Sequence, residues 1–194
     1  MSERQGGPVE AGPRPDLVDL VTLLAETPAP TFAEAARAEV VTRLWRDAGL
    51  SPRRDAAGNV VAEVPGGSGP TVLVAAHLDS VFGGDVDVTV RRDGDRLAGP
   101  GVGDDAAGLA LLTAYLRDLP ESRPRLVVAA TVGEEGAGDL RGARQVVADL
   151  GDRIDHFVAF DGHLGSVCHQ GVGSLRHEVV MTAAGGHSWG DYPS

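Results

Sequence analysis

One cysteine, Cys168, stands in 194 residues, so there is no internal disulfide framework. A reducing cytoplasm suits such a chain. Lysine is absent. All 17 basic residues are arginine, a bias of composition rather than of chemistry. Positive charge is short: 28 acidic residues set the formal net charge at −11, which argues against nucleic acid and anionic membranes as partners. No apolar run approaches a membrane span, and no H-E-x-x-H pair of zinc ligands occurs. No internal repeat is found. Residues 1–15 are rich in Gly, Pro and polar side chains, so they read as a flexible tail and not as a signal peptide.

What is present centres on Gly99-Pro100-Gly101-Val102-Gly103-Asp104-Asp105-Ala106-Ala107-Gly108. The glycines and proline predict a tight, irregular loop. The apolar run Leu109-Ala110-Leu111-Leu112 that follows predicts a buried helix. Asp104 and Asp105 therefore meet where a loop enters a helix. Two adjacent carboxylates there repel unless a cation holds them, and a divalent metal is the simplest such cation.

The flanks add candidate ligands. Residues 71–76 read as a buried strand ending in His77-Leu78-Asp79; residues 125–132 as another, ending in Gly133-Glu134-Glu135-Gly136; residues 157–160 as a third, ending in Asp161-Gly162. Apolar strands separated by helical segments predict an α/β fold, a mostly parallel sheet with helices on both faces. Such sheets carry their sites beyond the carboxyl ends of the strands. His77, Glu134, Glu135 and Asp161 all fall there.

The remaining pattern predicts a helix over 16–25, then one reaching 48 and stopping at Gly49. Thr31 and Glu34 read as a capping box for the second. Residues 60–64 predict a strand. Residues 86–90 and 96–98 predict a hairpin around Asp93-Gly94. Helices are expected from Ala106 to before Pro120 and over 141–150. Residues 175–182 alternate loosely, as in a solvent-facing antiparallel strand. The domain division is then a tail at 1–15, a metal-binding domain at 16–172 and the start of a second domain at 173–194.

Two motifs are decoys. Gly186-His187-Ser188-Trp189-Gly190 matches a nucleophile elbow, but no histidine follows it. Gly101-Val102-Gly103-Asp104-Asp105-Ala106 matches a loose dinucleotide fingerprint, but two carboxylates would repel a pyrophosphate. Cys168, His156, His163, His169 and His177 read as structural residues.

Taken together, His77-x-Asp79, the Gly-Pro-Gly loop with Asp104-Asp105 and Gly108, Glu134-Glu135, Asp161 and Gly185-Gly186-His187-Ser188 resemble the dinuclear zinc metallopeptidase family. That family includes glutamate carboxypeptidase, peptidase T, aminoacylase, acetylornithine deacetylase and succinyl-diaminopimelate desuccinylase. The resemblance runs from Leu17 onward. It implies a zinc exopeptidase-like fold followed by the start of a lid domain, within which the chain looks truncated. By resemblance, His77, Asp104 and Asp161 hold one zinc. Asp104 bridges to a second zinc, also held by Glu135 and by a late histidine absent here. Glu134 is the general base, Asp79 orients His77, and the peptide between Asp104 and Asp105 is the family's cis bond. His187 is the lid histidine that polarises the scissile carbonyl in a neighbouring subunit. The family's usual lysine two residues after the bridging aspartate is Ala106.

The resemblance implies two Zn2+ per complete site, with Co2+ or Mn2+ as substitutes, and a cytoplasmic homodimer. The substrates would be small peptides or N-acyl amino acids, cleaved as by an aminopeptidase, carboxypeptidase or deacylase. A metal-activated water and a glutamate that passes its proton to the leaving amine suffice for amide cleavage. The competing expectation is a catalytically silent chain that keeps metal residues without turnover.

Overall fold

In this computed structural model the described residues are 15–162, 165–171, 173–175 and 177–183. Two compact units divide the chain, 1–164 and 165–194. The tail expected at 1–15 lies, but for Pro15, outside the described residues. So do His163 and the stretch Gly185-Gly186-His187-Ser188.

Helix α1 (Leu17–Ala25) opens on a reciprocal cap. The Asp19 N–H donates to Asp16 Oδ1 at 2.8 Å, and the Asp19 carboxylate accepts from the Asp16 N–H. Helix α2 spans Ala35–Asp47 and is followed by Gly49 at φ 84°. The expected capping box of Thr31 and Glu34 does not form. Glu34 occupies the cap position with no side-chain cap bond. Its carboxylate instead accepts from the Phe32 N–H and pairs with Arg141, while the Thr31 hydroxyl turns to Asp79. Tertiary partners outcompete the local cap.

Five strands form one sheet in the order β1-β2-β6-β3-β7. They are β1 (Arg53–Arg54), β2 (Val60–Val64), β3 (Thr71–His77), β6 (Arg125–Thr131) and β7 (His156–Ala159). The expected parallel part is β6-β3-β7; β1 and β2 add two antiparallel pairings, so the sheet is mixed. A separate hairpin pairs β4 (Arg91–Asp93) with β5 (Arg96–Ala98). It begins later than predicted because 86–90 is committed elsewhere. Thr89 donates its N–H and hydroxyl to Asp87, and the Val90 N–H donates to Glu26. Such local bonds compete with a ladder.

Strand alternation builds two cores. Val74 and Ala76 face α1, α2 and α3 (Ala107–Arg117), along with Val60, Ala62, Val128 and Ala130. Leu73, Ala75, Val127 and Ala129 face Val146 and Leu150 of α4 (Arg141–Leu150). From β3 the chain crosses by α3 on one face to β6. It then returns by α4 on the other face to β7. Strand order thus reverses at β3, where open α/β sheets form their crevice. His77 is the last residue of that strand.

The described residues among 165–183 form no helix or strand, so the strand expected over 175–182 is not present there. No strand pairs with this stretch among the described residues, and a strand persists only when its backbone groups are paired.

Trp45, fully buried, joins α2 to α3 by donating Nε1–H to Thr113 at 3.2 Å. Trp45→Ala should lower unfolding stability by about 3–5 kcal/mol. Denaturant unfolding checks it; a loss under about 1 kcal/mol would mean the two helices are not fastened there.

Candidate metal centre

The site grows from the carboxyl edge of β3. The His77 N–H donates to Asp105 Oδ2 at 2.9 Å, and its ring Nε2 stands 2.8 Å from Asp104 Oδ1. Asp104 and Asp105 lie in an irregular turn, Val102–Ala106, entered through Gly101 at φ 71°, a conformation that suits glycine. The peptide bond between them is cis. Asp105 is buried and also accepts the Gly108 N–H at 3.1 Å. A Cβ on Gly108 would overlap Asp105 Oδ1 and the Phe160 carbonyl, so α3 can approach only with glycine there.

Asp79, with no exposed surface, gathers the other side. Its oxygens accept the Glu134 N–H at 2.9 Å, the Glu135 N–H at 3.0 Å and the Thr31 hydroxyl at 3.0 Å. His77 Nδ1 faces it at 3.6 Å, beyond a normal hydrogen bond. The ring thus turns Nδ1 to Asp79 and Nε2 outward to Asp104. Asn59, fully buried, braces the Glu134 turn from behind. It accepts the Val132 N–H at 2.9 Å and donates to the Gly142 carbonyl at 2.9 Å.

Two groups of donors result. One atom each from His77, Asp104 and Asp161 lie within 4.8 Å of one another, and so do atoms from His77, Glu134 and Glu135. Zinc bonds of about 2.0–2.2 Å put donors on one ion at most about 4.4 Å apart. The bound on their spacing is close to that span, and an imidazole with carboxylates suits zinc. The residues present therefore fit the metal. His77 is common to both groups; Asp104 and Asp161 gather with it in one, and Glu135, together with Glu134, in the other. His187 is the one expected site residue outside the described residues.

Charge crowding marks the same place. Burial works against protonated His77, but the Asp79, Asp105 and Glu134 carboxylates outweigh it and push its pKa up to about 10. Burial also opposes ionised Asp79, yet His77 and the N–H groups of Glu134 and Glu135 bring it down to about 2. Burial lifts Asp105 to about 7, with help from Asp161 and Asp104 and against His77. Glu134 and Glu135 are raised, each chiefly by burial.

Asp105, expected with Asp104 to be held by a cation, instead accepts the N–H groups of His77 and Gly108. Three further contributors carry only weak signals in the sequence. Asn59 carried the weak signal of Gly58-Asn59 before a strand. Thr31 looked like a cap. Arg37, buried on the apolar stripe of α2, donates to the Leu78 carbonyl at 2.8 Å, between His77 and Asp79. An arginine four residues before Val41 on that stripe was the available signal.

A reversing α/β sheet with an imidazole and carboxylates at its carboxyl edge can hold a divalent metal ion there. Comparison with known proteins makes the assignment narrower. Residues 59–167 match the profile of peptidase family M28, and the chain belongs to that family. A Pyrococcus abyssi protein named as a LysW-lysine/LysW-ornithine hydrolase is 34% identical over 132 residues, covering 68% of this chain and 36% of the relative. Among solved structures, aminopeptidase PepT of Bacillus cereus is similar with a TM-score of 0.64 at 24% identity, covering 75% of this chain and 43% of that one. YxeP of Bacillus subtilis, described as a dinuclear metal-binding peptidase of family M20, has a TM-score of 0.55 at 18% identity, covering 74% and 41%. The chain thus spans little more than a third of the length of that curated relative. No helix among the described residues is long and apolar enough to cross a membrane.

The shifts set a pH signature for the metal-free chain. His77 rises from 6.5 to about 10 and Asp105 from 3.8 to about 7, so the folded state holds both protons longer than the unfolded state. The His77 contribution is full below 6.5 and lost as pH rises through about 10; that of Asp105 is full below 3.8 and lost through about 7. Asp79, lowered from 3.8 to about 2, loses its contribution only as pH falls through about 2. In chelator, the melting temperature should therefore decline from about pH 5 to about pH 9. Scanning calorimetry across that range is the check, and a flat or rising profile contradicts the assignment.

Proposed function

We propose that the chain carries the metal-binding part of a zinc-dependent hydrolase that cleaves the amide bond of small peptides or N-acyl amino acids. One observation carries the reading: His77 Nε2 meets Asp104 with Asp161 alongside, while Asp79, facing the other ring nitrogen, also holds the Glu134-Glu135 turn. The similarity to named hydrolases and aminopeptidases supports the substrate class.

In this proposal His77, Asp104 and Asp161 would hold one zinc, and Glu135 would contribute with Asp104 to a second. When bound, zinc supplies Lewis-acid activation of water and of the scissile carbonyl. Asp79 fixes the His77 ring so that Nε2 points at the ligands. Glu134 takes the proton from water and delivers it to the departing amine. Burial holds the Glu134 pKa above the usual carboxylate range, with Asp161, Asp79 and Asp104 adding to it against His77. That eases delivery of the proton. Cobalt or manganese would serve as substitutes. The division at 172/173 into catalytic and lid parts, the role of His187 across a homodimer, and a cytoplasmic setting belong to the same proposal and rest on the resemblance.

The test is Glu134→Gln in the complete protein, assayed on dipeptides and N-acyl amino acids beside its metal content. The variant should keep its metal and lose at least about 100-fold in kcat. Loss of a metal equivalent would make Glu134 a ligand instead, and full activity would remove it from the chemistry.

A further inference from the structure

Three residues other than glycine have a left-handed φ among the described residues: Phe32 at 74°, Asp139 at 49° and Leu140 at 58°. All three belong to one place. Leu140 directly precedes Arg141, Asp139 precedes Leu140, and the Phe32 ring lies over the Arg141 guanidinium with its centroid 5.4 Å from Cζ. Side chains bearing a Cβ are disfavoured at such φ, and residues held there gather at functional sites.

The place borders the metal centre. Thr31, next to Phe32, donates to the Asp79 carboxylate that also accepts from Glu134 and Glu135. The Arg141 side chain packs so tightly on Gly133, the residue before Glu134, that a Cβ there would overlap Arg141 Cγ and Cδ. Phe32 is thus tied to the Glu134-Glu135 turn from two directions. It is also fixed in position. Its N–H donates to Glu34 Oε1 at 2.9 Å, and Glu34 is ion-paired to Arg141 Nη2 at 2.8 Å. Arg141 Nη1 donates to the Ala57 carbonyl at 2.8 Å. Yet Phe32 is 62% exposed. A strained backbone, a half-buried ion pair and a stacked guanidinium together hold one large apolar ring in water, tied through Thr31 and Arg141 to the turn that carries Glu134 and Glu135.

We propose that Phe32, backed by Arg141, is a specificity-determining residue: it receives an apolar group, a side chain or acyl chain, attached to the scissile amide. This rests on the metal-centre reading above and names the substrate class it favours. With Arg141 behind one face of the ring, an apolar group covers the exposed surface and removes it from water. Compact or charged substituents gain nothing there.

The probes are acetohydroxamic acid and phenylacetohydroxamic acid, which share a metal-directed head and differ by an aryl group. Binding to the zinc-loaded chain is read by isothermal titration calorimetry, after a zinc titration of each variant. The wild-type chain should bind the aryl probe about tenfold tighter. Phe32→Ala and Phe32→Gly should bring that ratio near one while zinc affinity is retained, and Phe32→Leu should keep most of it. Glycine adopts the left-handed backbone without strain, so Phe32→Gly should melt no lower than wild type even if the alanine variant folds poorly. A wild-type ratio near one, or an unchanged ratio in Phe32→Gly, overturns the proposal while leaving the metal centre standing. A chain that takes up no zinc overturns the metal-centre reading and this inference with it.

Discussion

A single buried carboxylate, Asp79, fastens three separate parts of this chain. It takes hydrogen bonds from Thr31 before α2 and from the backbone of Glu134 and Glu135 after β6, and it faces the ring of His77. A carboxylate without exposed surface is costly unless such donors surround it. Removing one donor leaves the charge short of partners, so the three parts hold or loosen together. The orientation of His77 and the position of Glu134 are therefore one structural fact.

The sheet makes that arrangement affordable. Its two apolar faces are buried under α1–α3 and α4, and this burial stabilises the frame without help from the site. The polar residues are crowded onto one edge, where strand order reverses and the chain leaves the ladder. Asn59, Arg37 and Asp105 each satisfy backbone groups at that edge, at Val132, Leu78 and His77. They fix loops that strand pairing no longer fixes. The same edge holds the non-glycine residues with left-handed φ, as expected where geometry serves chemistry more than stability.

Membership of peptidase family M28 and the PepT-like fold agree with this division of labour. The matched profile covers the strands and turns that carry His77, Asp104, Glu134, Glu135 and Asp161. The curated relative from Pyrococcus abyssi is much longer than this chain.

Much of this was legible in the sequence because the signals are local. Apolar runs fixed β2, β3 and β6 and their ends to within about a residue, and carboxylates immediately after those runs had to lie at the strand ends. The helix 141–150 and the turn carrying Asp104 and Asp105 were marked by glycines and by periodicity. What tertiary structure alone decided is which polar groups share partners. Thr31 and Glu34 have the spacing of a cap, yet buried Asp79 and Arg141 are stronger partners than the helix terminus. Arg37 breaks the apolar stripe of α2 to reach a carbonyl far along the chain. Residues 86–90 alternate like a strand, but Asp87 and Glu26 take their donors. Strand and helix formation follows from neighbours in sequence; competition among hydrogen-bond partners is settled only when distant segments meet.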